Sequence, residues 1–281
     1  MAAPAAATSE LRRRDDLDVL TWPAFDGLDL DASVTTRNGG VSAGPYASLN
    51  LGLHVGDEDK AVLENRRRVA EALGAEPGDF VFCNQAHGRG LRVVSSEDRG
   101  RGSLSLADAI GDTDALVTAE PGVVLVVMVA DCVPIVVYDP VAHVLACVHA
   151  GWRGTVARVS EAAVAAMRAL GASPENMIAG LGPAISPDRY QVGEDVAEAA
   201  KQGLGNAADE VIRPDGTGKW LFDLWAANRI VLREAGLADT RVHVTAIPTG
   251  SSGSGLFFSD REARPCGRFA AAARLRPRSG R

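Results

Sequence analysis

The chain has 281 residues, is 46% hydrophobic and carries a formal net charge of −7. That apolar share supports a sizeable core, while the acidic balance argues against a general nucleic-acid binder, which presents a basic surface. The longest apolar run, Val123 to Ala130, is too short to span a bilayer, and the alanine-rich start lacks the basic and apolar regions of a signal peptide.

The four cysteines, Cys83, Cys132, Cys147 and Cys266, show no disulfide-dense spacing. They read as free thiols in a cytoplasmic protein, available to a metal or to catalysis. Roughly the first fifteen residues and Arg274 to Arg281 read as frayed tails. Between them, Asp57-Glu58-Asp59 opens a helix that runs to Leu73 and is closed by Gly74. Phe80 to Phe82 is a short strand that delivers Gln85 and His87. Asp112 to Thr118 turns into a strand. Val123 to Val129 and Pro134 to Tyr138 are β-branched runs, read as buried strands on either side of Asp131-Cys132. Val144 to Val148 is the next strand and ends at His149.

Beyond Gly154 the period changes. Thr155 to Leu170 has apolar residues at helical spacing and stops at Gly171. Met177 to Leu181 returns to strand, and Gly193 to Leu204 is an acidic helix. Asp223 caps a helix to Ala235, Arg241 to Ile247 is a strand, and Thr249 to Gly255 is a glycine-serine loop that reads as mobile. No internal repeat or proline-rich linker divides the chain, so it reads as one mixed α/β domain over 1–281.

Three residues stand where strand-like runs break into polar or glycine-rich turns: His87, Cys132 and His149. Two imidazoles and a thiolate suit zinc, and three protein ligands leave a fourth position for water or substrate. No CxxC or HExxH signature accompanies them, and buried cysteines and histidines also serve as plain core residues. Cys132 beside His149 allows a second chemistry, an activated thiol nucleophile without metal, as in an amidase. His87 favours the metal, because a thiol nucleophile needs only one histidine.

Gly151-Trp152-Arg153-Gly154-Thr155 lies between strand and helix, where free amides and a guanidinium suit an anion; an ordinary turn with a solvated arginine is the plainer reading. Asp131 is a candidate general base or a residue that orients a ligand, against a simple turn aspartate. His54 is a candidate pocket residue, whereas His143 and His243 read as surface or core filler. Arg66 is one of three consecutive arginines, of which one or two can face inward.

Several motifs then occur in order: Ser48-Leu49-Asn50-Leu51-Gly52, Asn65-Arg66, Gln85-Ala86-His87-Gly88, Thr113-Asp114-Ala115, Ala130-Asp131-Cys132-Val133-Pro134, His149-Ala150-Gly151-Trp152-Arg153-Gly154, Gly182-Pro183 and Tyr190-Gln191-Val192-Gly193. Together they resemble the YfiH family, once called laccase-domain or polyphenol oxidase proteins, over roughly Val34 to Ala273. The resemblance implies an α+β (mixed α/β) fold with two β-sheets layered between helices. It implies zinc held by His87, Cys132 and His149, with Asp131 in the catalytic set and Asn50, Arg66, Gln85 and Arg153 as substrate-binding residues. The activity implied is phosphorolysis of adenosine, inosine or methylthioadenosine, with adenosine deaminase activity and a peptidoglycan-editing role also attributed to the family. The partners implied are therefore purine nucleosides and phosphate, with neither nucleic acid nor membrane. A Cys132-dependent amidase acting on peptidoglycan precursors is the alternative. A copper polyphenol oxidase comes last, because multicopper centres need many histidines and this chain has five. The chain departs from the family pattern at Pro248-Thr249 and at Phe257 to Glu262, where Asp260 and Glu262 appear and one arginine is lost.

Overall fold

A computed structural model describes residues 8–278. The chain opens with β1 (Glu10–Arg14), β2 (Leu17–Thr21) and β3 (Leu30–Thr35), then α1 (Asp59–Ala72) and the short strands β4 (Phe80–Phe82), β5 (Leu91–Val93) and β6 (Ala115–Thr118). Three strands buried along their whole length follow: β7 (Val124–Val129), β8 (Val133–Asp139) and β9 (Val144–Ala150). Next come α2 (Trp152–Val156), α3 (Val159–Ala169), β10 (Ile178–Leu181), β11 (Gln191–Gly193), α4 (Glu194–Leu204), α5 (Ala208–Val211), β12 (Ile212–Pro214) and β13 (Lys219–Phe222). The chain ends with α6 (Leu224–Glu234), β14 (Val242–Val244) and β15 (Phe269–Leu275).

Two six-stranded sheets carry the fold, in the orders β1-β2-β3-β15-β7-β4 and β14-β10-β8-β9-β6-β5, beside a three-stranded sheet β11-β13-β12. Alternation along the strands decides which layer each side chain joins. In β7, Val124, Val126 and Met128 pack with Val69 and Leu73 of the α1 segment, whereas Leu125, Val127 and Val129 point to the second sheet. In β9, Leu145 and Cys147 meet the first sheet, while Val144, Ala146 and Val148 meet α3 and α6. The layers are therefore α1, sheet, sheet, and the α2–α6 layer. Strands covered on both faces lose the polar alternation of an exposed sheet, hence the unbroken apolar runs of β7 and β8.

Three expectations change. Residues 10–14 are not a tail: β1 pairs antiparallel with β2, Glu10 opposite Thr21 through Arg14 opposite Leu17. Arg274 and Leu275 likewise belong to β15, where Arg274 pairs with Asp31 across the sheet and reaches its carboxylate at 3.0 Å. Beyond these strands the Thr8 hydroxyl donates to the Val244 carbonyl and the Arg276 amide to the Asp29 carbonyl, while residues 1–7 and 279–281 of the expected tails lie outside the described residues. The helix expected over Thr155 to Leu170 is two helices, broken at Arg158, whose backbone is left-handed (φ 62°). Arg158 ion-pairs there with Glu161 and with Glu234 of α6, contacts that periodicity does not encode. Finally, Gly250–Ser252 forms a 3-10 turn pinned by Glu262, which accepts from the Ser251 amide at 2.6 Å.

Candidate metal centre

The two sheets meet at one end where the chain crosses between them. It crosses after β4, through Gln85 and His87, to β5, and again after β7, through Asp131 and Cys132, to β8. His149 sits near the end of β9, on the inter-sheet side that Leu145 and Cys147 share, with Pro134 as its partner in the ladder. Two crossovers and one strand end thus place His87, Cys132 and His149 together. Their donor atoms lie within 4.8 Å of one another, in a gradient from exposed His87 to buried His149.

Neighbouring residues hold this geometry. Asp114, fully buried, accepts from His149 Nδ1 at 2.8 Å, leaving Nε2 to face the cluster. The same carboxylate accepts from the backbone amides of His87 (3.0 Å) and Gly88 (2.6 Å), so one side chain fixes two of the three donors. Burial raises its pKa, but His149 and the Gly88 amide outweigh that and keep it ionised below the usual carboxylate range. Gln85 continues the β4–β7 ladder with its side chain, donating to the Met128 carbonyl (2.7 Å) and accepting from the Met128 amide (2.8 Å). Gly151 is required by space: a Cβ there would lie 2.8 Å from Cys132 Sγ and 3.3 Å from the His87 ring.

The electrostatics suit a cation. Burial pushes the Cys132 thiol up, but the positive charge on His149 and hydrogen bonds from both histidines bring it down to about 6. Burial pushes His149 down, yet the Cys132 thiolate and Asp114 lift it to about 9. The pair is a thiolate beside an imidazolium, and a metal would take the place of the shared proton. A thiolate and two imidazoles, one already oriented through its far nitrogen by a carboxylate, form a donor set that fits a zinc-like ion. This is the one such cluster among the described residues.

A cavity of about 530 Å³ opens over the cluster. Its wall includes the aromatic rings of Trp152 and Tyr190 and four arginines, Arg153, Arg261, Arg264 and Arg268, against two carboxylates, Asp131 and Asp260. An acidic protein thus presents a locally basic mouth to anions. Arg153 lies over the Trp152 ring at 4.4 Å and has no hydrogen-bond acceptor among the described residues.

Of the residues expected at the site, Gln85, His87, Asp131, Cys132, His149, Arg153 and His54 line this cavity. Two expected substrate contacts do not. Arg66 is 1% exposed and commits its guanidinium to the carbonyls of Leu51 (2.7 Å), Gly102 (2.7 Å) and Ser103 (2.7 Å), with the Phe82 ring 3.9 Å away. It ties loops to α1 and has no donor left for phosphate. Asn50 is buried and accepts from the backbone amides of Gly52 (3.0 Å) and Arg268 (2.8 Å), so it places Arg268 and does not touch the cavity. Asp131 is also not a free base. Its left-handed backbone (φ 93°) turns the side chain onto the Thr249 hydroxyl (2.5 Å) and the Arg261 amide (2.7 Å), fastening the C-terminal segment to the centre. The strand-to-helix turn is a poor anion cradle, because α2 spans five residues. His143 is a core residue, held by Tyr138 (2.9 Å) and the Arg276 carbonyl (3.0 Å).

The role of Asp114, and the arginines after Pro248, escape sequence reasoning. The acid within the Thr113-Asp114-Ala115 motif is the one sequence signal that marks the former.

Comparison with known proteins agrees with this architecture. The family model described as multi-copper polyphenol oxidoreductase laccase matches residues 31–276. The chain is 38% identical over 243 residues to purine nucleoside phosphorylase YlmD of Geobacillus stearothermophilus, covering 86% of this chain and 88% of that protein. It is 44% identical over 213 residues to a purine nucleoside phosphorylase of Deinococcus radiodurans, covering 75% and 78%. It is 40% identical over 208 residues to adenosine deaminase RL5 from an unknown prokaryotic organism, covering 74% and 79%. The crystal structure of YlmD from Geobacillus stearothermophilus superposes with a TM-score of 0.90 at 36% identity, over 96% of this chain and all of that one. The hypothetical protein YfiH of Bacillus licheniformis gives 0.90 at 32% identity, over 95% and 99%. The chain belongs to the laccase-like YfiH/YlmD family, whose matched region contains all three residues of the His87–Cys132–His149 cluster.

Proposed function

We propose that the chain is a zinc-dependent purine nucleoside phosphorylase that also deaminates adenosine, working as a single cytoplasmic domain. The observation that carries this reading is the convergence of His87, Cys132 and His149 on the floor of a cavity rimmed by arginines. The names of the relatives supply the reaction class, and the site supplies parts for it. Phosphate attacks the ribose C1′ and the bond from C1′ to the base breaks. Arg153, Arg264 and Arg268 are our candidates for holding the anion, because all three line the cavity. Trp152 and Tyr190 offer aromatic faces for a purine. Burial, then the negative charge on Cys132, push the Tyr190 phenol up, so it stays a neutral hydrogen-bond donor beside the cluster. His87, Cys132 and His149 would hold a zinc ion, which when bound would supply a Lewis acid to the site. Asp114 keeps the His149 tautomer that such an ion requires.

Copper is the lesser reading of the same centre, since a multicopper site needs more donors than the single cluster found among the described residues. The amidase reading keeps one observation in its favour: a thiol at about 6 beside an imidazolium is also how a nucleophile is activated. One experiment tests all three. Protein purified without added metal is assayed for bound zinc and copper, then incubated with inosine with and without phosphate. We expect about one zinc per chain and base release only with phosphate. Base release at equal rate without phosphate rejects phosphorolysis. Activity unaffected by a chelator but abolished by alkylation of Cys132 favours the amidase.

A further inference from the structure

We propose that Asp260 is a built-in competitor for phosphate: its carboxylate occupies the anion position between Arg264 and Arg268 and weakens phosphate binding by this chain. The identity of the anion rests on the phosphorolysis reading above.

The geometry is that of a bridging anion. One Asp260 oxygen accepts from Arg268 Nη2 at 3.1 Å, and the other accepts from Arg264 Nε at 2.7 Å and lies 2.6 Å from its Nη2. A group with an oxygen on each of two guanidiniums has the connectivity of a phosphate held by two arginines. Both arginines line the cavity over His87, Cys132 and His149.

Arg268 is held in place independently of Asp260. Its Nη1 donates to the carbonyls of Cys266 and Gly267, each at 3.1 Å, and its backbone amide donates to Asn50. Gly52 keeps space for it, since a Cβ there would stand 3.0 Å from Arg268 Cγ. Removing Asp260 therefore frees Nη2 without dismantling the arginine. The other carboxylate of the cavity wall cannot play this part, because Asp131 is bound by Thr249 and the Arg261 amide. Asp260 is 29% exposed and Arg264 76% exposed, so their pairing is weak and a phosphate dianion can displace it.

The test uses full-length, zinc-loaded protein as wild type, Asp260→Asn and Asp260→Ser. Titration with inorganic phosphate by calorimetry reads the subsite directly, and phosphate and inosine KM values read the reaction. We expect phosphate Kd and phosphate KM to fall about fivefold in both variants, as for loss of one competing, partly exposed carboxylate, with the inosine KM unchanged. Arg268→Gln should raise both phosphate constants. Unchanged or weaker phosphate binding in both folded Asp260 variants overturns the proposal, even if turnover depends on phosphate. Tighter phosphate binding without any phosphate-dependent turnover leaves the subsite standing and rejects the phosphorylase reading instead.

Discussion

The floor and the rim of the cavity are built by different means. On the floor, His149 lies in a strand whose ladder with β8 runs unbroken from Val133 opposite Ala150 to Asp139 opposite Val144, and Cys132 directly precedes that ladder. Around the rim, residues 253–268 contain neither helix nor strand. They are held by scattered single bonds: backbone bonds such as the Arg37 amide to the Leu256 carbonyl and the Gly250 amide to the Phe257 carbonyl, and side-chain bonds such as Glu262 to the Ser251 amide and Asp260 to two arginines. Backbone ladders fix geometry cooperatively, whereas a side-chain pair is lost by one substitution. The metal chemistry is therefore set by the fold, and the affinity for an anion is set by local pairs that can change without unmaking the centre.

The sharpest way to break the floor is to remove a donor. Cys132→Ala and His149→Ala should lose bound zinc and lower turnover by at least about a hundredfold, with the fold retained. Cys132→Asp should keep part of both, because a carboxylate is an acceptable zinc ligand. Metal analysis beside steady-state assays checks this. In metal-free protein, Cys132 should remain thiolate as pH falls to about 6, read as absorbance near 240 nm or as alkylation rate. Below that pH the thiolate is protonated and the signal is lost. His149→Ala removes the principal group holding the pKa down and should move the transition to higher pH. A transition that stays at about 6 in that variant would show that His87 alone suffices.

Arg66 separates scaffold from site. Arg66→Met should cost about 3–5 kcal/mol of stability in denaturant unfolding, because three buried carbonyls lose their donor. The phosphate KM of the protein that still folds should not change. A rise in that KM with little loss of stability would return Arg66 to the substrate-binding set. Next in size is Asp114→Asn, which should weaken zinc about 10–100-fold in chelator competition and cost about 1–3 kcal/mol of stability, because the new amide nitrogen cannot accept from the buried Gly88 amide. Equal zinc affinity in that variant would mean that the strands alone orient His149.

This division also explains what the sequence discloses. The floor is legible because β7, β8 and β9 are apolar along their length and end abruptly at Asp131-Cys132 and His149; a polar residue at such a break has to face a cavity. The rim is opaque because its partners are distant in the chain. Asp131 and Arg261, or Asn50 and Arg268, are joined by single hydrogen bonds that leave no periodicity. Arg66 illustrates the opposite error. The resemblance marks it as a substrate contact, but its donors face carbonyls inside the protein. The sheet itself hides in the same way at β15, whose Phe269 to Leu275 is rich in alanine, a helix former, yet lies between β3 and β7. Burial between two strands overrides the local preference there.

The smallest expected effect lies where floor and rim join. Thr249→Val keeps side-chain size and the Thr249 amide bond to the Ala184 carbonyl at 2.9 Å, and removes only the hydroxyl that Asp131 accepts. One hydrogen bond to a buried carboxylate is lost, about 1–3 kcal/mol. Asp131 retains the Arg261 amide, so Cys132 should stay in place and zinc content should not change. The rim, by contrast, loses one of its two hydrogen bonds to the Asp131 carboxylate. Phosphate binding should therefore weaken by a small factor while inosine binding and metal content hold. Loss of zinc from Thr249→Val would contradict this. It would mean that the Asp131 turn holds Cys132 through its side chain, and that floor and rim form one unit.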